Sequence, residues 1–496
     1  MSYKKFITVA AVLGAITFSG CRSGFLSGGD VPAPAQPQAP SGPVSVDGVR
    51  TSYADVVQKT SPAVVRIEAE HKAAAQTQQF PFGDDDFFRQ MPVPQRPQGR
   101  APVERGLGSG VIVSADGTIL TNYHVVEGAE RITIETTDNK SFEAKVVGSD
   151  QPSDLAVLKI EAQNLPYLTL GNSDNVRVGD IVLAIGNPLG IGQTVTAGII
   201  SAKGRRTGLS DGSFEDFLQT DAPINRGNSG GALVNLTGEL IGINSQILSS
   251  PGSAGGNIGI GFSIPSNMAK SVMEQLLQNG KVRRGMLGIN IQNITSDTAK
   301  SLELSDTTGV LVSNVRGGSA ADKAGIKRGD IITAINGEKI EDSNVLRNKV
   351  ASTTPGTSIN LTVLRDGKEQ QLTATLDEFN VEEAKRDNAN PSDNRNAPQG
   401  RQNGKLGLSL QPITPEISRQ LELPDNSGGL VVTDVDPNGA AAAEGIARGD
   451  VILEINRQQV NSVDDVQSAL DRSGDRPILL LINRRGQTIY MTVRPG

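Results

Sequence analysis

The sequence is poor in several residue types that most chains of its size use freely. Its 496 residues include one cysteine, two histidines and no tryptophan, and aromatic residues make up only 3%. A single cysteine excludes a disulfide bond within the chain, and two histidines leave few candidates for a general base. With so few aromatic side chains, the cores must consist of Val, Ile, Leu and Ala, and the 56 glycines favour many short strands and turns.

The charge pattern argues against one class of partner. The formal net charge is -7, and the sequence contains no long basic run with interleaved aromatic residues. A general nucleic-acid-binding protein would show the opposite pattern, so we expect no nucleic-acid partner. The length is sufficient for about three or four domains, each with its own core.

The first 20 residues have the pattern of a signal peptide. Two lysines precede an apolar run that is short for a membrane-spanning helix. Cys21 follows directly, so the segment resembles a bacterial lipoprotein signal in which Cys21 would be acylated and would tether the protein to a membrane. The alternative is an ordinary secretory signal with an incidental cysteine. Both alternatives predict export, and residues 21–50, rich in proline, are expected to form an extended tether.

Residues 51–279 consist of short apolar runs separated by turn signals. Alternation predicts a strand at residues 63–68, and Asp116 with Gly117 is a typical hairpin signal. No long helical period occurs before residues 267–277, where a helix is expected to end this region. Short strands at regular spacing predict closed antiparallel β-barrels.

A polar insertion interrupts this region at residues 71–105. It is rich in Gln and Pro, and it carries four of the 12 phenylalanines of the chain, Phe80, Phe82, Phe87 and Phe88. Apolar side chains in a polar loop are expected either to dock on a neighbouring subunit or to fold back onto their own barrel. Both alternatives stay open.

An internal repeat follows residue 280. Three residues recur at a constant offset of 120 positions: Gly325 and Gly445, Gly329 and Gly449, Asn336 and Asn456. We therefore expect two copies of one module, at residues 280–378 and 404–496. The segment between them, residues 379–403, is polar and is predicted to be a flexible linker.

The sequence GNSGG places Ser229 among three glycines. Such a backbone can turn sharply, so that the N–H groups of Gly227 and Ser229, together with Asn228, could stabilise an oxyanion. A glycine-rich turn with no catalytic role is the alternative. A serine hydroxyl is a weak nucleophile that needs a histidine base. In the nucleophile elbow of α/β-hydrolases the histidine follows the serine, but His71 and His124 both precede Ser229, which leaves the order His, Asp, Ser.

His124 is the candidate base, because His71 borders the insertion and is expected to lie on the surface. Eight aspartates lie between His124 and Ser229. Asp154 is the best candidate to orient the imidazole, since it precedes an apolar strand where it can be partly buried. Ser229 would attack the carbonyl carbon and His124 would transfer the proton. Activity should then fall on acidification through a pKa of about 6.5.

The motifs TNYHVV, SDLAVLKI and TDAPINRGNSGGALVN, in this order and followed by two repeats, resemble those of the bacterial HtrA/Deg serine proteases of the type with two PDZ domains. The resemblance covers about residues 51–496. It implies a chymotrypsin-like, all-β double barrel at residues 51–279 followed by two PDZ domains, each a small β-barrel with helices. It also implies an ATP-independent endopeptidase of the cell envelope that degrades unfolded proteins without a cofactor or metal, and that forms trimers and larger cages. A PDZ-dependent chaperone or binding protein with little proteolysis is the alternative.

The same resemblance implies further sites. Cleavage after small aliphatic residues would use a pocket with Pro223 at its floor and residues 243–248 and 258–262 as walls. Substrate C-termini would pair with a strand beside each carboxylate-binding loop. A sensor arginine would relay this binding to the active site. The implied loop residues are Leu287, Gly288 and Ile289 in the first PDZ domain and Leu406, Gly407 and Leu408 in the second, and the implied sensor is Arg205 or Arg206.

Overall fold

The structure is a computed structural model of the chain. It describes residues 45–46, 49–72, 103–187, 192–207, 214–225, 227–247, 256–380, 401–403, 406–414, 417–418, 428–474 and 476–494. Cys21 and the four phenylalanines of the insertion lie outside these residues. The chain divides into two compact units, residues 1–52 and 53–496. In the first unit, β1 (Ser45–Val46) pairs with β2 (Val49–Arg50) in an antiparallel hairpin.

The second unit begins with a closed six-stranded barrel, preceded by helix α1 (Ala54–Thr60) and a 3₁₀ helix (Ser61–Ala63). Its strands are β3 (Val64–Lys72), β4 (Val103–Ser114), β5 (Thr118–Thr121), β6 (Arg131–Glu135), β7 (Ser141–Asp150) and β8 (Leu155–Ile160). Their spatial order is β3-β4-β5-β8-β7-β6. Helix α2 (Tyr123–Val126) follows β5, and a 3₁₀ helix (Gln151–Ser153) precedes β8.

A second closed barrel follows, after a 3₁₀ helix (Ser173–Asn175). Its strands are β9 (Ile181–Gly186), β10 (Thr194–Arg205), β11 (Phe217–Thr220), β12 (Ala232–Asn235), β13 (Leu240–Ile247) and β14 (Gly261–Pro265). Their order is β10-β11-β14-β13-β12-β9. Helix α3 (Ser266–Asn279) ends the region, and the largest apolar core extends over both barrels.

The first repeat, which we call module 1, contains a sheet with the order β16-β17-β18-β20-β21, in which β19 also pairs with β18. Strands β15 and β22 form a separate pair. The elements are β15 (Gly285–Met286), β16 (Ile289–Asn293), α4 (Ser296–Ser301), β17 (Val310–Val315), α5 (Ala320–Lys323), β18 (Ile331–Ile335), β19 (Glu338–Lys339), α6 (Ser343–Ser352), β20 (Ser358–Arg365), β21 (Lys368–Thr375) and β22 (Asp377–Glu378).

The second repeat, module 2, has the strand order β23-β24-β25-β26-β28-β29, with β27 on β26. The elements are β23 (Arg401–Asn403), β24 (Leu408–Pro412), β25 (Leu430–Val435), α7 (Ala440–Ala443), β26 (Val451–Ile455), β27 (Gln458–Gln459), α8 (Val463–Ser473), β28 (Ile478–Arg484) and β29 (Gln487–Val493). The sequence assigned residues 379–403 to a flexible linker. Residues 401–403 of this range form strand β23 instead, because their backbone pairs with β24.

The repeat extends to the local geometry. Asn336 and Asn456 both have a left-handed backbone, with φ of 50° and 49°. Each also accepts a backbone hydrogen bond on its side-chain oxygen, from Asn360 and from Leu479, both at 2.9 Å. An Asn tolerates this conformation better than most residues, which explains why it recurs at this turn.

The hairpin, the helix and the strand that the sequence predicted in residues 51–279 all occur in the fold. The D-G hairpin joins β4 to β5, with Gly117 at φ 90°, and the helix predicted at residues 267–277 lies within α3. The strand predicted at 63–68 runs from Val64 to Lys72. His71 lies in this strand and is half-buried, not fully on the surface. Within the described part of the chain, none of the helices has the length and apolar character needed to cross a membrane.

Candidate active site

His124 and Asp154 are brought together by two short turns of the first barrel. His124 lies in α2, directly after β5, and Asp154 lies between the 3₁₀ helix Gln151–Ser153 and β8. The Nδ1 atom of His124 is 2.9 Å from each oxygen of the Asp154 carboxylate. The backbone N–H of His124 also donates to Asp154 Oδ1 at 3.1 Å. This arrangement fixes Nδ1 as the donor and leaves Nε2 as the acceptor, the tautomer that a general base requires.

Asp154 is held by its backbone as well as by its carboxylate. It has a left-handed conformation, with φ of 54°. Its carbonyl oxygen accepts hydrogen bonds from the N–H of Tyr123 at 3.1 Å and from Nδ2 of Asn122 at 3.0 Å. The hydroxyl of Ser245, in β13 of the second barrel, donates to Asp154 Oδ2 at 2.8 Å. The carboxylate is therefore oriented from both barrels.

The pKa of His124 is raised above its ordinary value of 6.5. Burial is the largest influence and acts in the opposite direction, since it disfavours the charged ring. The charge of Asp154, its hydrogen bond to the ring and the charge of Glu127 together outweigh burial. The side chain of His124 remains 39% exposed, so the ring is accessible to a substrate.

The loop that carries Ser229 connects β11 to β12 and requires glycine at specific positions. Gly227 and Gly230 have φ of 92° and 82°. A Cβ atom on Gly230 would lie 2.1 Å from the carbonyl oxygen of Ser109 and 2.4 Å from Oγ1 of Thr121. No side chain fits there, so the close approach of strand β4 to the loop explains the glycine at position 230.

The backbone N–H groups of this loop are not equivalent. The N–H of Asn228 donates to the carbonyl oxygen of Asn225 at 3.0 Å, and the N–H of Gly230 donates to that of Asn244 at 2.8 Å. The N–H groups of Gly227 and Ser229 donate to no other residue that the structure describes. Among the described residues, two of the three N–H groups predicted for the oxyanion site thus have no acceptor, whereas that of Asn228 is engaged within the loop.

The hydroxyl of Ser229 points to the second barrel. It donates to the carbonyl oxygen of Ser245 at 2.9 Å, and within the described residues it has no hydrogen bond to His124. Ser245 therefore contacts both Ser229 and Asp154, and it joins the three predicted residues in one network. Ser245 was not among the predicted site residues, although a serine within the apolar run of β13 is a sequence signal of a buried polar role. In the structure Ser245 is only 3% exposed.

The two predicted carboxylate-binding loops have the same construction. Gly288 and Gly407 have φ of 76° and 70°. In module 1, the carbonyl oxygen of Leu287 accepts from Ala321 N, and in module 2 that of Leu406 accepts from Ala441 N. Ile289 and Leu408 then begin the strands β16 and β24.

Module 1 contacts the first barrel through a buried ion pair. Arg284, next to the predicted carboxylate-binding loop, donates to both oxygens of Asp150 at 2.7 and 2.5 Å, and both side chains are less than one tenth exposed. Asp150 also accepts from Ser153 N at 3.1 Å, directly before Asp154. The guanidinium lies 4.7 Å from the ring centroid of Phe214, which packs edge-on against Phe379.

Module 1 contacts the second barrel through helix α6. Asn344 donates to the carbonyl oxygen of Gly204 at 3.3 Å, and Asn348 donates to that of Glu215 at 2.8 Å. Arg205 ends β10 and Arg206 follows it, both exposed. Burial lowers the pKa of Arg347 in α6, and the charge of Arg206 lowers it further. The predicted sensor arginines thus lie at the contact with α6.

Comparison with known proteins agrees with this architecture. Residues 108–243 match the trypsin-like peptidase domain, and residues 285–376 and 431–484 each match a PDZ domain. The solved structure of an HtrA-type protease, AlgW with a tripeptide, superposes with a TM-score of 0.54 at 42% identity, and covers 66% of this chain and 98% of its own. The fold and the site therefore define a trypsin-like serine protease followed by two PDZ domains, as the sequence predicted.

Full-length relatives identify the family. The chain is 40% identical over 458 residues to a probable periplasmic serine endoprotease, DegP-like, of Chlamydia pneumoniae, covering 89% of each chain. It is 41% identical over 455 residues to the periplasmic pH-dependent serine endoprotease DegQ of Escherichia coli, covering 89% of this chain and 91% of that protein. The chain belongs to the DegP/DegQ family of serine endoproteases, and the protease interpretation is supported over the chaperone alternative.

Proposed function

We propose that this endoprotease cleaves peptide bonds through an acyl-enzyme on Ser229, with His124 as base and Asp154 as orienting carboxylate. The contact that carries the proposal is the one between His124 Nδ1 and both oxygens of Asp154, at 2.9 Å. It leaves Nε2 free to accept the proton of the serine hydroxyl. The histidine later returns this proton to the leaving amine.

The oxyanion site consists of the N–H groups of Gly227 and Ser229, which have no acceptor among the described residues. Loss of one such donor typically costs about 2.7–4 kcal/mol in the transition state. Before attack, the Ser229 hydroxyl must leave the carbonyl oxygen of Ser245 and turn to His124 Nε2, since its present hydrogen bond directs the proton away from the base. This rotation is a step at which substrate or peptide binding can control activity.

Substrates are unfolded proteins, whose C-termini bind to the PDZ domains and activate the protease. A continuous set of contacts supports a route from α6 to the active site. Asn348 donates to the carbonyl oxygen of Glu215, and the carboxylate of Glu215 accepts from Thr207 N at 2.6 Å. Thr207 Oγ1 in turn accepts from Gln246 Nε2 at 3.0 Å. Gln246 is adjacent to Ser245. Arg205 and Arg206 directly precede Thr207 in the chain, and the charge of Arg206 acts on Arg347 of α6. Replacement of both arginines by Ala should therefore abolish activation by a C-terminal peptide, and unchanged activation would contradict their proposed role as sensors.

The cell envelope is the proposed location. The named relatives are periplasmic, and residues 1–20 have the pattern of an export signal. Acylation of Cys21 would hold the protein at a membrane, and labelling with a radioactive fatty acid, compared with Cys21→Ala, tests this. Assembly into trimers and larger cages is proposed from the family resemblance, and sedimentation analysis tests it.

The decisive experiment compares residues 22–496 with the Ser229→Ala variant on reduced casein, an unfolded substrate. Cleavage by the parent alone supports the proposed nucleophile. Cleavage by both proteins would show that Ser229 is not the nucleophile. If neither cleaves, even with a C-terminal peptide, and both suppress aggregation, the proposed mechanism is wrong and the chaperone alternative takes its place.

A further inference from the structure

Ser109, in strand β4 of the first barrel, contacts the serine loop at two points. It is fully buried. Its hydroxyl donates to the carbonyl oxygen of Gly227 at 2.6 Å, and its backbone N–H donates to the carbonyl oxygen of Ser229 at 2.9 Å. The hydroxyl also accepts the N–H of Asn187, at the end of β9, at 2.8 Å. One side chain therefore joins β4, the serine loop and the segment after β9.

The two carbonyl groups that Ser109 binds belong to the peptide units on either side of the unit that carries the N–H of Ser229. The Gly227 carbonyl shares a rigid peptide plane with the N–H of Asn228, which is held by Asn225 at 3.0 Å. Because hydrogen bonds hold the planes on both sides of it, the peptide unit that carries the Ser229 N–H has little freedom to rotate. Gly227 has a positive φ, and a glycine peptide can otherwise rotate at low cost.

We propose that Ser109 is a positioning residue: it holds the serine loop in the conformation in which the N–H groups of Gly227 and Ser229 are available to an oxyanion. It does not touch the substrate; it acts through Gly227 and Ser229. This inference rests on the proposed oxyanion site. Without the hydroxyl, the Gly227 carbonyl and the Asn187 N–H both lose a buried partner, and the loop gains freedom where a transition state needs fixed dipoles.

The test is Ser109→Ala, with Ser266→Ala as the matched control. Ser266 is also fully buried and its hydroxyl also donates to a backbone carbonyl, that of Gly171 at 2.7 Å, at the start of α3. We expect Ser109→Ala to lower kcat by about 10- to 100-fold, less than direct loss of an oxyanion donor, with little change in KM. Binding of a peptide boronate, whose tetrahedral adduct needs the oxyanion donors, should weaken by the same factor. Ser266→Ala should change neither quantity.

Ser109→Cys is a second variant that separates a folding defect from loss of the hydrogen bond. Its thiol remains a weak donor, so its kcat should lie between those of the parent and of Ser109→Ala. Equal losses of kcat in the Ser109→Ala and Ser266→Ala variants would reduce Ser109 to a structural role. So would a loss of thermal stability in Ser109→Ala with kcat and boronate affinity unchanged. If Ser229→Ala still cleaves casein, the proposed function fails independently of this result.

A second inference concerns strand β23 in module 2. Its residues pair antiparallel with β24: Arg401 with Leu410, Gln402 with Ser409 and Asn403 with Leu408. Strand β24 follows the carboxylate-binding loop, and its other edge is occupied by β25. In module 1, the equivalent strand β16 pairs with β17 and is an edge strand of its sheet. A bound C-terminus would add to these edges as an antiparallel strand.

We infer that the chain's own segment Arg401–Asn403 occupies the peptide-binding edge of module 2, so that C-termini bind module 1. The pairing direction supports this occupant, because β23 runs antiparallel to β24 and ends near the loop, as a ligand would. The inference rests on the proposed binding of C-termini by the PDZ domains. It assigns different partners to the two modules, an external C-terminus to module 1 and the linker to module 2.

The test replaces both Arg401 and Gln402 by Pro, with replacement of both by Ala as control. In an antiparallel pair, one of two consecutive N–H groups points to the partner strand, so two prolines remove it whatever the phase. The probe is a nonapeptide with apolar final residues and a free carboxylate, added to full-length protein carrying Ser229→Ala. Hydrogen exchange by mass spectrometry then reports on residues 287–293 and 406–412 separately.

We expect the peptide to protect residues 287–293 in all proteins, and residues 406–412 only in the proline variant. Protection of both segments in the parent would overturn the inference, as would failure of the proline variant to gain protection at 406–412 while its modules keep their parent-like exchange elsewhere. Protection of neither segment in any protein would instead contradict the proposed binding of C-termini.

Discussion

The first barrel holds its part of the proposed active site through several hydrogen bonds. The second barrel carries Ser229 on a loop, and the Ser229 hydroxyl is turned away from His124, the proposed base. His124 and Asp154 share three contacts. The Ser229 hydroxyl donates to the carbonyl oxygen of Ser245, and in the proposed mechanism it must rotate towards His124 before attack. In the proposed mechanism, His124 and Asp154 form a rigid half of the site and Ser229 with its loop forms an adjustable half. A small movement in the second barrel would then be sufficient to switch the activity. Control of this protease is therefore expected to act on the second barrel.

The largest effect should come from the rigid half. Asp154→Asn places an amide donor opposite His124 Nδ1 and favours the wrong tautomer, so kcat should fall by about 10⁴-fold. Asp138→Asn is the control, since Asp138 lies in an exposed turn of the same barrel and pairs with Lys140. Steady-state cleavage of a chromogenic peptide measures both. A loss below 10-fold for Asp154→Asn would mean that another group orients the histidine.

The two barrels also differ in how they bind module 1. The first uses the buried Arg284–Asp150 pair, and the second uses neutral bonds from α6, such as Asn348 to Glu215. Arg284→Met leaves a buried carboxylate unpaired and should destabilise the fold by about 3–5 kcal/mol. Asn348→Ala loses one neutral hydrogen bond, worth about 1 kcal/mol. Urea unfolding followed by circular dichroism compares them, and equal losses would remove the distinction.

The sequence predicted the rigid half better than the adjustable half, for a physical reason. His124 was selected because His71 borders the polar insertion, and Asp154 because it precedes an apolar strand; both arguments use local patterns. Ser245 and Ser109 act through contacts with residues 91 and 118 positions away, which no local pattern records. The direction of the Ser229 hydroxyl is a choice of rotamer, and the engaged N–H of Asn228 depends on the path of the loop; neither is encoded in residue type.

The fold shows the same division between features that local sequence patterns predict and features that depend on distant contacts. The closed barrels, the hairpin at Gly117 and the repeat at an offset of 120 residues followed from strand alternation, turn residues and self-similarity. The pairing of β23 did not, because residues 401–403 have the polar composition of a linker, and their strand conformation depends on the free edge of β24. A short polar segment adopts the structure that its neighbour offers.

A smaller effect should distinguish a carboxylate of the second barrel. Burial, and next the charge of Asp174, raise the pKa of Asp216 to about 6, with Asp342 adding to the shift and Lys203 opposing it. Because the folded pKa exceeds the unfolded value, ionisation destabilises the protein above about pH 6. This penalty disappears as the pH falls towards 3.8. Asp216→Asn should therefore raise the unfolding free energy at pH 8 by about 1–3 kcal/mol. It should have no effect at pH 4, and Glu143→Gln, on the first barrel, should have none at either pH.

The smallest expected effect is a shift of the pH profile. His124 must be neutral to accept the serine proton, and its pKa is raised above 6.5 by Asp154 and Glu127 against the effect of burial. The acid limb of kcat/KM should therefore have its midpoint above pH 6.5. Glu127 is exposed, and its carboxylate accepts from the hydroxyl of Tyr123 at 2.8 Å. Its effect on the pKa of His124 is smaller than that of Asp154. Glu127→Gln should move the midpoint to lower pH, whereas Glu161→Gln, a 90% exposed carboxylate of the same barrel, should leave it in place. A midpoint that stays fixed in Glu127→Gln would show that Asp154 alone sets the charge of the histidine, and that the rigid half of the site is confined to those two residues.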